Sequence, residues 1–299
     1  MDDLSITINK EQNLDTQMLS ELPLIEVLSL LNQHDMQVPT EIRKALPQVS
    51  AVVTLIAKQM RQGGRLFYVG AGTSGRLGVL DSAECPPTFG TDPNLVQSVI
   101  AGGMQAMLQA VENIEDCMES APNELRSRGL NEHDVVLGIA ASGRTPFVIA
   151  GLKYARSIGA KTVALTTRGH GLICDFADLS VAPDVGPEVL AGSTRMKSGS
   201  AQKMLLGMIS TAVMIQLGKV HGNLMVDVKA SNEKLRIRAK HMVAQICEVD
   251  ELIAQDLLTA VGYNVRAAVL YHSLDIPAQE AIELAAQPFR SLKQQLQQG

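Results

Sequence analysis

The chain has 299 residues, 46% hydrophobic and 19% charged, enough apolar content for a sizeable core and too few charges for a disordered segment. Its formal charge of -5 argues against nucleic acid or an anionic membrane as the main partner, while leaving room for a local anion pocket. With 3% aromatics and no Trp, it also lacks stacking platforms for single strands.

In chain order, residues 15–62 predict helices, with Leu22, Ile25, Leu28 and Leu31 and then Val52, Val53, Ile56 and Met60 at helical spacings. Leu66 to Gly70 is a short apolar run ending in a glycine turn. SVIAGG, VVLGIA, TVALTT and LSVAP follow, separated by helical patterns. Buried strands alternating with helices predict an α/β fold, a doubly wound, mostly parallel sheet covered on both faces. Met104 to Ser120 predicts a helix whose apolar stripe is Met104, Met107, Leu108, Val111, Ile114 and Met118. Glu115 falls inside that stripe, whereas Glu112, Asp116 and Glu119 fall outside it.

The uncharged stretch between Lys203 and Lys219 is broken by Ser210, Thr211 and Gln216 and falls short of the roughly 20 residues of a bilayer span, so it predicts a core helix. Residues 229–299 predict a small helical domain. The start, MDDLSITINKEQ, lacks the basic residues and apolar run of a secretory signal, and a cytoplasmic location is expected. Four dispersed cysteines fit reduced thiols, Cys85 and Cys117 being read as packing residues. The scattered histidines predict no metal site.

Two loops repeat. GAGTSGR, Gly70 to Arg76, follows the first strand, and GIAASGR, Gly138 to Arg144, runs out of the third. Glycines admit an anion to the backbone, and amides at a helix N-terminus favour negative charge, so both loops are phosphate candidates. Thr73, Ser74 and Gly75 serve the first, and Ser142, Gly143 and Thr145 the second. A third Gly-Ser-Thr contributes Ser193 and Thr194. The first loop also spells GxGxxG, but the second strand ends without the carboxylate that a dinucleotide ribose needs.

Glu84 lies seven residues beyond Leu77 and four beyond Leu80, on an apolar face, and Pro86 and Pro87 predict the end of its helix. The negative end of the helix dipole would favour a protonated acid there, and Glu84 becomes a candidate general acid.

These blocks, GAGTSGRLGVLDSAECPPTFG, IAGG before AVENIED, GIAASGRTPFVIAGLKYAR, GPEVLAGSTRMKSG and GKVHGNLMVDVKASNEKLRIRA, resemble the sugar isomerase (SIS) fold family and, more closely, the N-acetylmuramic acid 6-phosphate etherases. They cover residues 50–240 densely. The resemblance implies an N-terminal helical segment (1–50), an SIS sugar-phosphate-binding domain (51–228) and a C-terminal helical domain (229–299). It implies a cofactor-free lyase, with Glu84 as proton donor to the leaving lactate and Glu115 as base at C2. The expected partners are a sugar phosphate and a second copy in a homodimer. Glucokinase regulatory proteins share the loops, so a non-catalytic sugar-phosphate regulator is the alternative, with a phosphosugar isomerase as the nearest enzymatic rival. Asn9 to Asn13 departs from the family pattern.

Overall fold

The computed structural model describes residues 13–111 and 113–297. The divergent stretch Asn9 to Gln12, and Glu112, lie outside them, whereas Asn13 caps a short 3-10 turn, Leu14–Thr16. The chain divides into two compact units, one holding the chain up to Ser82 with Val96–Ile209, the other Ala83–Leu95 with the chain from Ser210 onward.

The first unit opens with α1 (Leu24–Asp35), α2 (Gln37–Lys44) and α3 (Leu46–Arg61). The predicted stripe of α3 is buried at Val52, Val53, Ile56 and Met60, whereas α1 buries no residue and exposes Leu24, Ile25 and Leu28. Five strands follow: β1 (Leu66–Gly70), β2 (Val96–Ile100), β3 (Val135–Ile139), β4 (Lys161–Leu165) and β5 (Leu179–Val181). All pair in parallel in the order β2-β1-β3-β4-β5. Every residue of β1 and β3 is buried, which explains why they read as continuous apolar runs rather than alternating ones.

The crossovers are helical: α4 (Gly72–Phe89), the single turn α5 (Gln105–Leu108), α6 (Ser120–Ser127) and α7 (Pro146–Ser157). Phe67, Val69 and Val136 of the sheet pack with Leu125 of α6 and with Phe147, Val148 and Leu152 of α7. At the strand entrances, the buried Asp134 accepts from the Arg65 backbone N–H at 2.8 Å and pairs with its guanidinium at 2.8 Å, tying β1 to β3.

α8 (Lys197–Gln216) begins in the first unit and continues into the second. The second unit adds α9 (Glu233–Cys247), α10 (Glu251–Ala260), α11 (Val265–Leu274), α12 (Ala278–Ala285) and α13 (Leu292–Leu296). Its core gathers Met242, Val243, Leu258, Val269, Leu270 and Leu292. Among the described residues no helix is long and apolar enough to cross a membrane.

Two local expectations fail. The chain from Met104 to Ser120 is not one helix: α5 ends at Leu108, Asn113 turns left-handed at φ +61°, and Ile114–Asp116 forms a 3-10 turn. Met104 is 70% and Leu108 90% exposed, so most of the presumed stripe buries nothing, and a short helix without a packed face is not sustained. Conversely, α4 passes through Pro86 and Pro87 to Phe89, since Cys85 and Phe89, four residues apart, are both buried and hold the last turn.

Candidate functional site

In a sheet of this order, β1 and β3 are neighbours whose crossovers depart to opposite sides, so a crevice opens beyond their carboxyl ends. Gly70 pairs in register with Ile139, so the two repeated loops leave the sheet side by side. The repetition read along the chain is thus a juxtaposition in space.

The first loop runs straight into α4. Thr73 is partly exposed in its first turn, whereas Ser74 is buried and donates its hydroxyl to Gln202 Oε1 of α8 at 3.0 Å. Gly75 is buried too, and a Cβ there would stand 2.6 Å from both the Gly70 carbonyl oxygen and Ile100, so it is glycine for close packing. Ser74 and Gly75 therefore anchor the loop, which leaves its backbone amides as the groups these two positions can offer to an anion.

In the second loop Ser142 is exposed, and Gly143 takes φ +70° with its α-carbon against Gly171. Thr145 is the N-cap residue of α7, its carbonyl accepting from Val148 and Ile149, while its hydroxyl makes no capping bond. Pro146 at the first helical position has no N–H to leave unpaired. Ser193 and Thr194, half-buried, lie in the turns before α8. A Cβ on Gly199 would be 3.5 Å from Thr73 Cγ2 and 3.6 Å from the Thr194 carbonyl, which brings the third Gly-Ser-Thr to the first loop.

That turn is held by a pair which sequence reasoning left without a role. Glu188, 0% exposed, accepts from the backbone N–H of Lys197 and of Ser198, both at 2.9 Å, at the start of α8. Lys197, 1% exposed, sends its Nζ back to the Val185 carbonyl at 2.7 Å. Burial lowers the ammonium pKa, and the Glu188 charge acts against that. The signal was present in GPEVLAGSTRMKSG: an acid ahead of a helix start is a ready acceptor for orphan amides.

Glu115 is exposed rather than buried in a stripe, and the structure sets it at the first loop. A cavity of about 330 Å³ is lined by Glu115, Ile114 and Asn113 together with Ala71, Gly72 and Arg76. Arg76, from the repeated Ser-Gly-Arg, donates to the Gln109 carbonyl at 3.2 Å and bounds this cavity. Glu84 is exposed within α4, which runs on past it, so it is neither on a buried face nor in the last turn. Glu84 belongs to the second unit and Glu115 to the first. Cys85 is buried as expected. Cys117 is exposed, and the Ser120 hydroxyl and nearby backbone amides lower its pKa, so it is not a packing residue.

Comparison with known proteins follows the same lines. Residues 48–156 match the glucokinase regulatory protein N-terminal SIS domain, and residues 104–212 match the SIS domain. A phosphoheptose isomerase from Francisella tularensis, 16% identical, superposes with a TM-score of 0.52 over 65% of this chain and all of its own, a likeness of fold alone. The N-acetylmuramic acid 6-phosphate etherase of Histophilus somni is 46% identical over 97% of this chain and 95% of its own length. That of Staphylococcus saprophyticus is 48% identical over 92% and 94%. At such identity over nearly the whole length, with paired glycine loops at the crevice of a parallel sheet, the chain belongs to the N-acetylmuramic acid 6-phosphate etherase family.

Proposed function

We propose that this protein is a lyase that cleaves the D-lactyl ether of N-acetylmuramic acid 6-phosphate, yielding N-acetylglucosamine 6-phosphate and D-lactate in the recycling of cell-wall sugar. Family membership supports the activity. The observation that carries the site is the cavity shared by Glu115 and the first glycine loop.

Opening the sugar to its aldehyde acidifies the C2 hydrogen. The Glu115 carboxylate takes that proton, the bond from C3 to the ether oxygen breaks, and Glu84 as the acid protonates the departing oxygen of lactate. Water then adds to C3 of the unsaturated aldehyde and a proton returns to C2. Two carboxyl groups in opposite protonation states suffice, and no cofactor enters a step. Thr73, Ser74, Gly75, Ser142, Gly143 and Thr145, with Ser193 and Thr194, bind the substrate, and the binding energy of its 6-phosphate positions C2 and C3.

The active form in this reading is a cytoplasmic homodimer. The exposed Met104, Leu108 and Met118, flanking Glu115 in sequence, support a second copy that shields this region from water. The test is coupled lactate detection on the purified protein, with Glu84→Gln and Glu115→Gln beside the parent and sedimentation to give the oligomer. A second reading, a sugar-phosphate regulator without chemistry, is favoured by the match to the glucokinase regulatory protein domain. Ligand binding without lactate release would select it.

A further inference from the structure

We propose that the helical second unit carries a binding site for a small oxyanion, the phosphate or carboxylate group of a metabolite-sized ligand. The site is a cavity of about 830 Å³ lined wholly by residues of that unit, none of them among those proposed for ether cleavage. Its volume falls in the range typical of small-molecule pockets.

Charge points to the ligand class. Lys219, Lys229, Arg266 and Arg290 line the cavity against Asp92 and Asp227, a positive excess on a chain whose formal charge is -5. Asp227 is shared: one carboxylate oxygen lies 2.6 Å from Arg266 Nε and the other 3.0 Å from Lys219 Nζ. One negative charge therefore stands between two cations. Arg266, 3% exposed, also donates from Nη1 to the Arg290 carbonyl and to Gln295, and from Nη2 to the Gly218 carbonyl. A guanidinium has five N–H bonds, so among the described residues a donor on Nη2 remains beyond these.

A second observation points inward. Thr91 lines the same cavity at 3% exposure, and its buried hydroxyl has no hydrogen-bond partner among the described residues. Buried hydroxyls are normally satisfied, and an orphan on a residue that lines a cationic cavity marks a place where an acceptor belongs. Gly90 delivers it there: at φ +63°, a Cβ on Gly90 would stand 2.3 Å from the Asp227 carbonyl oxygen, so the chain reaches the Asp227 cluster only with glycine at this position. Two further lining residues, Tyr263 at φ +64° and Phe289 at φ +58°, hold left-handed backbone that aromatic side chains seldom adopt, and such strain concentrates at ligand sites.

The test uses the full chain with inorganic phosphate as the probe, its stoichiometry and affinity read by calorimetry. The parent is expected to bind two phosphates per chain. Ser142→Ala with Thr145→Val should remove one, and Thr91→Val with Lys229→Met should weaken the other tenfold or more. Lys229→Met alone, at an exposed side chain, should weaken it severalfold. Phosphate binding that is absent, or unchanged in both Thr91→Val with Lys229→Met and Lys229→Met alone, overturns the proposal. One phosphate per chain, lost with Thr91→Val and Lys229→Met, upholds it and fails the loop assignment instead. A parallel titration with citrate separates the sources: displacement of the Thr91-dependent phosphate means that carboxylates are accepted, and no displacement restricts the site to phosphate.

Discussion

Glu188→Ala is the substitution that tests the organisation of the proposed substrate loop most directly. It leaves two amides at the start of α8, those of Lys197 and Ser198, without acceptors in a region closed to solvent. Each unsatisfied buried group costs about 1–3 kcal/mol. It also removes the carboxylate whose field supports the buried Lys197 ammonium. Breaking a buried charge arrangement by deleting one member typically costs about 3–5 kcal/mol, and that is the loss expected here. Glu188→Gln keeps one acceptor and should lose about half as much, in line with the weaker hydrogen bonds of a neutral group. Urea unfolding followed by circular dichroism gives both values.

The pH dependence supplies an independent check on Glu188. Because burial lowers the Lys197 pKa below its usual 10.5, the unfolded chain binds more protons between the folded value and 10.5, and this contribution to stability rises with pH across that window. Removing Glu188 lowers the folded value further and opens the window at lower pH, so the deficit of the variant should shrink as pH rises. A Glu188→Ala protein within about 1 kcal/mol of its parent, with a deficit flat in pH, would refute the reasoning.

Glu84→Gln and Glu115→Gln should each lose most lactate release while the circular dichroism spectrum and unfolding midpoint stay put, since both side chains are exposed. Parental turnover in either variant removes that residue from the mechanism. Gly143→Ala should destabilise by at least about 1–2 kcal/mol from its left-handed backbone alone, with more from the contact that a Cβ would make 2.6 Å from Gly171 Cα, measurable as a lowered urea midpoint. Alkylation with iodoacetamide near neutral pH, read by mass spectrometry, should mark Cys117 first. Burial raises the Cys247 pKa to about 11, which should make it slow, and Cys85 and Cys174 are buried.

The strands were legible because β1, β3 and most of β4 are buried on both faces, which leaves short apolar runs ending in glycine turns. The helical tail followed from periodicity without strand texture. The stretch from Met104 to Ser120 misled because helical periodicity identifies a face only when something packs against it, and here most of that face is exposed. Glu84 misled for the converse reason. Proline two residues on is a local signal for stopping, and burial of Cys85 and Phe89 overrides it.

What the amino-acid order determined alone was the chemistry on offer: repeated glycine loops, hydroxyls beside them, two glutamates in recognisable blocks, and the family to which those blocks belong. Local sequence specifies which residues exist at a turn and which backbone angles they tolerate. Only the tertiary structure decided which of them come together and which are buried. The sheet order sets the two loops side by side, α8 holds Ser74 through Gln202, and Glu115 comes to line one cavity with the first loop. Each of these arrangements joins residues far apart along the chain, and spacing along a polymer carries no information about distance until the intervening segments have packed.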